Sequence, residues 1–225
     1  VNIQLISHTP MPDRLAAVAA RVCYSSEGAG EIMASIKDDR IKKRIGECVD
    51  KGHHSVLEHA VFTFAIDGIS RVTSHQLVRH RVASYSQQSQ RYVKMKDSSP
   101  FIIPPRIRDN EALRLRFEEN MKASQSLYLE LLEAGIPSED ARYVLPSAMG
   151  TSMLVTMNAR ELLHFFSIRC CKKAQWEIRK LAYAMLRAVS KAAPLIFEKA
   201  GPACLDGACP QKDQKCFERM SRIRR

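Results

Sequence analysis

A chain of 225 residues is long enough for one sizeable hydrophobic core, and 45% hydrophobic with 26% charged residues excludes a disordered or fibrous protein. No apolar run approaches the roughly 20 residues of a membrane span, and Val1 to Pro12 has neither the basic nor the apolar region of a secretion signal, so a cytoplasmic protein is expected. The net charge of +11 suits a nucleic-acid surface and a site for small anions equally well.

Asn2 to Ser7 reads as a strand. Pro12 to Tyr24 reads as a helix with Leu15, Val18, Ala19 and Val22 on one face. Glu31 to Lys51 reads as a second helix, stopped at Gly52. Val61 to Ile66 is β-branched and aromatic enough for a strand closing at Asp67-Gly68. Ser70 is placed to cap a helix running to Arg81, on which Val72, Gln76, Arg79 and His80 share a face. Beyond it Ser84, Ser86, Gln88 and Gln90 alternate with Tyr85, Gln87, Ser89 and Arg91, as on an extended chain.

Asp109 to Ala134 reads as a long helix, and Thr151 to Met157 as a strand. Asn158 then caps a further helix in a capping-box arrangement with Glu161. On that helix Arg160 and His164 share one face, with Leu162, Phe165, Phe166 and Arg169 opposite. Gln175 to Lys191 carries the stripe Ile178, Leu181, Ala182, Met185 and Val189. Strands interleaved with unequal helices predict a single α+β domain over residues 1–200, a mixed or antiparallel sheet flanked by long helices. A Cys-containing basic tail follows over 201–225, its last basic run being Ser221 to Arg225. No G-x-G-x-x-G follows a strand, so a Rossmann unit is not expected.

Seven cysteines, an odd number, do not suggest a secreted disulfide scaffold. Cys23 and Cys48 read as small core residues, and Cys170-Cys171 are adjacent. Cys204, Cys209 and Cys216 lack a C-x-x-C pair and make a poor zinc site unless a fourth ligand comes from elsewhere. Reduced, non-catalytic thiols are expected there. His53, His54, Glu58 and His59 do not match helical metal-ligand spacing, and no metal site is expected.

The stretch Arg79 to Tyr92, R-H-R-V-A-S-Y-S-Q-Q-S-Q-R-Y, is dense in guanidinium, amide and hydroxyl donors and has no acid. Such groups hold phosphates and polar heterocycles. The string resembles the R-H-R-x-x-S-x-x-x-x-S-x-R-Y signature of the flavin-dependent thymidylate synthases. Gly52-His53-His54-Ser55-Val56-Leu57-Glu58-His59 is similar to the family's G-H-x-[ST]-x-x-E-H. Ala141 to Pro146 matches its A-R-x-x-L-P, Asn158-Ala159-Arg160 its N-x-R, and Arg169 and Ala174 to Glu177 complete the series.

The resemblance implies reductive methylation of dUMP to dTMP, with FAD as cofactor and NADPH and methylenetetrahydrofolate as co-substrates. It also implies a homotetramer with active sites at subunit interfaces. It assigns dUMP to Gln76, Arg79, Gln87, Gln88, Ser89, Gln90, Arg91, Arg142 and Arg169, with Arg169 the catalytic group that favours ionisation at uracil N3. It assigns FAD to Ser55, Arg79, His80, Arg81, Gln87, Asn158, Arg160 and His164. Neither nucleic acid nor membrane is expected as a partner. The rival expectation is a basic nucleic-acid-binding module that uses Arg79 to Tyr92 as a phosphate and stacking platform.

Overall fold

The computed structural model describes residues 1–95, 100–205, 207 and 209–216. In chain order the elements are β1 (Asn2–His8), α1 (Pro12–Val22), α2 (Ala29–Ser35), α3 (Asp38–Asp50), a 3-10 turn (His54–His59), β2 (Val61–Ser70), α4 (Arg71–Leu77) and β3 (Ala83–Gln87). There follow α5 (Pro105–Arg108), α6 (Glu111–Glu133), α7 (Ser138–Ala141), a 3-10 turn (Arg142–Val144), β4 (Gly150–Asn158), α8 (Ala159–Arg169), α9 (Trp176–Ala192) and a last 3-10 turn (Ala203–Leu205). The four strands form an antiparallel sheet in the order β1-β2-β4-β3, within a mixed helix-and-strand chain. The basic run Ser221 to Arg225 lies outside the described residues.

Two compact units divide these elements. The first comprises residues 1–2, 66–79 and 85–154. Its core is Met95, Met121, Tyr128, Ala141 and Met149, with Phe101, Phe117 and Leu132 against it. Met121, Gln125 and Tyr128 form the buried stripe of α6, and the Tyr128 hydroxyl accepts the Met95 amide at 3.2 Å. The second comprises residues 3–65, 80–84 and 155–225. Phe62 and Phe64 of β2, Phe165 and Phe166 of α8, and Ile178, Leu181, Met185 and Val189 of α9 are all fully buried in it. Phe197 closes this core edge-on against Phe62 and Phe166, at 5.5 and 5.9 Å between ring centres.

Several expected boundaries move, each for a local reason. The helix after Ser70 ends at Leu77 and does not reach Arg81: the Tyr85 hydroxyl donates to the Leu77 carbonyl at 2.8 Å, satisfying an orphaned helix-end acceptor. Val72, expected to lead that face into the core, is 41% exposed, whereas His80 is 4% exposed. The extended chain beyond it stops at Gln87 and does not continue to Arg91. Glu31 to Lys51 is two helices, broken at Ile36 and Lys37, both extended, and Asp38 and Asp39 start the second. β2 does not close at Asp67-Gly68. Gly68 takes φ +69°, a left-handed conformation open to glycine, and the strand continues to Ser70.

On α1 the expected Val18 is buried, but it is joined by Ala16, Ala17 and Ala20, while Leu15 and Ala19 are half-buried and Val22 is exposed. Cys23 is exposed and Cys48 half-buried, so neither is a core residue. Other expectations hold. Ser70 Oγ accepts the Thr73 amide, Gly52 ends α3 with φ +73°, and the predicted stripe of α9 is fully buried.

One carboxylate holds the two ends of the second unit's chain together. Asp13, in the first turn of α1, accepts the Leu195 amide on Oδ2 at 3.1 Å and the Ile196 amide on Oδ1 at 3.0 Å. Asp13→Ala orphans both amides, and a half-buried donor left without a partner costs about 1–3 kcal/mol. Thermal unfolding should therefore drop by about 4–8 °C, taking about 2 kcal/mol in a chain of this size. A change within a degree would show that these amides are satisfied without Asp13.

Candidate functional site

α8 begins where β4 ends because Asn158 Oδ1 accepts the Glu161 amide at 2.9 Å, a side-chain N-cap. Leu162, Phe165 and Phe166 then bury one face, while Arg160 and His164 are exposed on the other, as the periodicity predicts. Glu161 departs from the expected capping box. Its carboxylate is 7% exposed, and its Oε1 lies 3.1 Å from His80 Nδ1. The other ring nitrogen of His80, Nε2, faces Arg169 Nε at 3.1 Å.

The proton positions follow from these partners. A guanidinium Nε carries hydrogen and can only donate, so His80 Nε2 must be the acceptor. The imidazole proton then sits on Nδ1 and is donated to Glu161, a tautomer assigned from the hydrogen bonds. Burial pulls the His80 pKa down to about 4, helped by the electrostatic influence of the neighbouring Arg169 and His164. Burial also raises the Glu161 carboxyl and lowers the Arg169 guanidinium. The His80–Glu161 contact is thus a hydrogen bond from a neutral imidazole and not an ion pair. Phe165 packs edge-on against the His80 ring at 4.9 Å and holds its plane. His80, Glu161 and His164 bring ligand atoms within 4.8 Å of one another, but both His80 nitrogens are already committed, which argues against a metal at that point.

Next to this group, still within the second unit, is a cavity of about 1220 Å³ lined by His54, Glu58, Val82, Arg160, His164 and Lys199, among others. Arg160 pairs with Glu58 at 2.5 Å. Arg81 and Ser55 are exposed, Ser55 at the start of the 3-10 turn His54–His59. Since Asn158 Oδ1 is used as the cap, its amide nitrogen is the group left for a ligand.

The first unit holds most of the residues assigned to the nucleotide. Gln87 Nε2 donates to Ser74 Oγ at 3.0 Å and to Thr151 Oγ1 at 3.2 Å. The Gln88 amide donates to the Ser152 carbonyl, and the Gln88 carbonyl accepts from Arg71 at 2.7 Å. Ser89 Oγ accepts the Arg91 amide. Arg91 Nε meets Glu139 Oε2 at 2.6 Å and Arg142 Nε donates to the Glu139 carbonyl at 3.0 Å, so Glu139 gathers both arginines. Gln76 and Gln90 are half-buried and Arg79 is exposed.

Two residues of these constellations were missed in the sequence, Arg71 and Glu161. The Arg71 Nε is buried without a hydrogen-bond partner among the described residues. Its guanidinium is pulled down by burial and then by the charge of Arg142. A signal existed, because a cation in the first turn of a helix opposes the macrodipole and asks for a reason. Glu161 was read as a capping residue, and nothing local marks its turn toward His80.

Residues 4–195 match the family model described as thymidylate synthase complementing protein. The chain is 51% identical to the flavin-dependent thymidylate synthase of Geobacter sulfurreducens, covering 96% of this chain and 94% of that protein. It is 44% identical to the enzyme of that name from Clostridium tetani, with 96% and 93% covered. The Pyrococcus abyssi flavin-dependent thymidylate synthase is 42% identical, with 97% and 94% covered. A match over most of the chain, with relatives this similar at nearly full length, means that the chain belongs to the thymidylate synthase complementing protein family, that of the flavin-dependent thymidylate synthases.

Proposed function

We propose that this chain converts dUMP to dTMP by reductive methylation, taking the one-carbon unit from methylenetetrahydrofolate and its reducing power from NADPH by way of FAD. Family membership carries the thymidylate synthase activity and the flavin. The observation that supports Arg169 as its catalytic group is the Glu161–His80–Arg169 hydrogen-bond sequence, because it fixes a guanidinium that would otherwise sweep through many rotamers.

The second unit fits FAD in size and chemistry. Its cavity exceeds the usual range of about 300–1,000 Å³ for small-molecule sites and is lined by Arg160, His164 and Lys199, which suit an anionic dinucleotide. In our reading Ser55, Arg79, His80, Arg81, Gln87, Asn158, Arg160 and His164 hold the flavin. When bound and reduced, it supplies the hydride. Arg160 would exchange its partner Glu58 for the pyrophosphate, a charge-assisted bond of the same kind. His80 orients Arg169 through Nε2 and presents an uncharged ring.

Gln76, Arg79, Gln87, Gln88, Ser89, Gln90, Arg91, Arg142 and Arg169 hold dUMP. Arg91 and Arg142, gathered at Glu139, suit the phosphate, and Arg71 adds a third positive charge near Arg142. Arg169 favours the ionised pyrimidine at N3, which makes the ring a better nucleophile. A cysteine nucleophile fits less well: Cys170, beside Arg169, is buried and its thiol is pushed up to about 12.

The assembly is a homotetramer with sites completed by neighbouring subunits. The exposure of Arg79 and Arg81 supports this, since side chains that serve a shared site stand exposed on a single chain. The protein acts on small molecules in the cytoplasm, with neither nucleic acid nor membrane as a partner. No helix among the described residues is long and apolar enough to cross a membrane.

Replacing Arg169 with Ala should leave flavin binding intact while dTMP formation falls by at least about two orders of magnitude, the scale of losing one fixed charge-stabilising donor. Arg169→Lys should recover little, since an ammonium cannot reproduce the planar fork. Turnover of Arg169→Ala within a few-fold of the unsubstituted protein would remove Arg169 from the chemistry.

A pH dependence follows from His80. Its folded pKa of about 4 lies below the ordinary 6.5, so its contribution to stability is fully present above pH 6.5 and is lost as the pH falls toward 4. That amounts to about 3 kcal/mol across the window. Nitrogen NMR should show His80 neutral and Nδ1-protonated at pH 5.5. A His80 resonance titrating near 6.5 would contradict the arrangement.

A further inference from the structure

Five cysteines line one cavity of about 560 Å³ in the second unit; Cys170 is the buried one, and the other four come from scattered places in the sequence. Cys171 stands in the turn after α8, Cys204 in the 3-10 turn Ala203–Leu205, Cys209 in the loop beyond it, and Cys216 in the last described helical turn. Cys204 lies within electrostatic reach of the other three thiols. The sequence alone offered three tail cysteines without a fourth ligand. Folding supplies that ligand as Cys171.

The segments that carry these thiols are held in place. Lys173 Nζ pairs with Asp213 Oδ2 at 3.0 Å, and Asp213 Oδ1 accepts the Cys216 amide at 3.0 Å, which ties Cys216 to the turn bearing Cys171. Arg179 donates to the Lys172 carbonyl at 2.6 Å and fixes the same turn from the other side. Lys172, Lys173 and Arg179 all line the cavity, so its wall is basic. Four thiolates carry more negative charge than one divalent ion cancels, and basic neighbours offset the remainder.

The spacing of the thiols selects the kind of metal centre. A single zinc ion bound at about 2.3 Å draws its tetrahedral sulfurs to within about 4 Å of one another. Among the described residues, the group with three ligand atoms within 4.8 Å of one another is His80, Glu161 and His164, not the cysteines. No three of these sulfurs lie within 4.8 Å of one another among the described residues, a wider spacing than the tetrahedron of one zinc ion. Soft thiolates at this spacing suit a polynuclear centre with its own bridging sulfide, which four cysteines ligate.

We propose that Cys171, Cys204, Cys209 and Cys216 together ligate an iron–sulfur cluster. It stands apart from the expectation that these thiols are merely reduced and without metal, and it does not depend on the thymidylate reading. Ser167 to Arg169 also line the cavity, so the cluster fastens the last turn of α8 to the C-terminal segment.

The test is metal analysis of the full chain purified without oxygen, and again after incubation with ferrous iron, sulfide and a thiol reductant. Iron and acid-labile sulfide should appear in equal amounts, at about two or four of each per chain, with a paramagnetic signal after dithionite reduction that free flavin does not give. Cys171→Ser, Cys204→Ser, Cys209→Ser and Cys216→Ser should each lose most of the iron, whereas Cys23→Ala and Cys48→Ala keep it. The stoichiometry of the unsubstituted chain stands by itself if a variant fails to fold. Zinc at one per chain without sulfide, no iron in either preparation, or iron that survives the four substitutions would each overturn the assignment.

Discussion

The buried hydrogen bonds from Glu161 through His80 to Arg169 are the constraint on which the proposed chemistry rests. An arginine at the end of an apolar helix face has two poor choices, to bury an unpaired charge or to swing out to water. A neutral imidazole resolves the conflict, because it accepts one guanidinium hydrogen without cancelling the positive charge. A carboxylate in the place of His80 would have neutralised the very charge that an ionised pyrimidine needs. Glu161 stands one residue further back, where it fixes the imidazole tautomer without touching Arg169's fork. This is the logic by which a metal-bound or catalytic histidine is oriented by an acid behind it, applied here to an arginine.

The surplus of positive charge finds its place in the same terms. In the first unit, Arg91 and Arg142 meet at Glu139, and Arg71 lies close enough to Arg142 for their charges to oppose each other. Cations crowded in this way repel one another, and in the proposed reading the phosphate of dUMP would relieve that repulsion. In the second unit Arg160 is held at Glu58, within reach of a cavity also bordered by His164 and Lys199. Arg91 and Arg160 are thus held on acids of their own units, while Arg79 and Arg81 stand exposed.

How much of this was legible in the sequence differs from element to element. The faces of α8 and α9 were read correctly from an unbroken 3.6-residue period, and Asn158 marked the start of α8, whereas Gln175, read as the first residue of α9, is its N-cap. The helix before Arg79 was overextended, since the hydroxyl that ends it belongs to Tyr85, a later strand residue. Gly68 was taken for a turn because a strand interior seldom holds a left-handed glycine. The role of Glu161 depended on a partner 81 residues away in sequence. The meeting of Cys171 with Cys204, Cys209 and Cys216 likewise depended on how the C-terminal segment folds back. Local patterns encode local hydrogen bonds, and these contacts are tertiary. Motif residues were named through resemblance, and their placement on two compact units followed from the fold.

The central claim is that the reducing equivalent for the new methyl group passes through flavin on this protein. A single-turnover experiment addresses it most directly. The FAD-loaded protein is reduced with dithionite, freed of excess reductant and mixed with dUMP and methylenetetrahydrofolate in the absence of NADPH. The account predicts about one dTMP for each flavin reoxidised at working sites, with none formed from the oxidised protein. Formation of dTMP while the flavin stays oxidised, or flavin reoxidation under anaerobic conditions without dTMP, would contradict it.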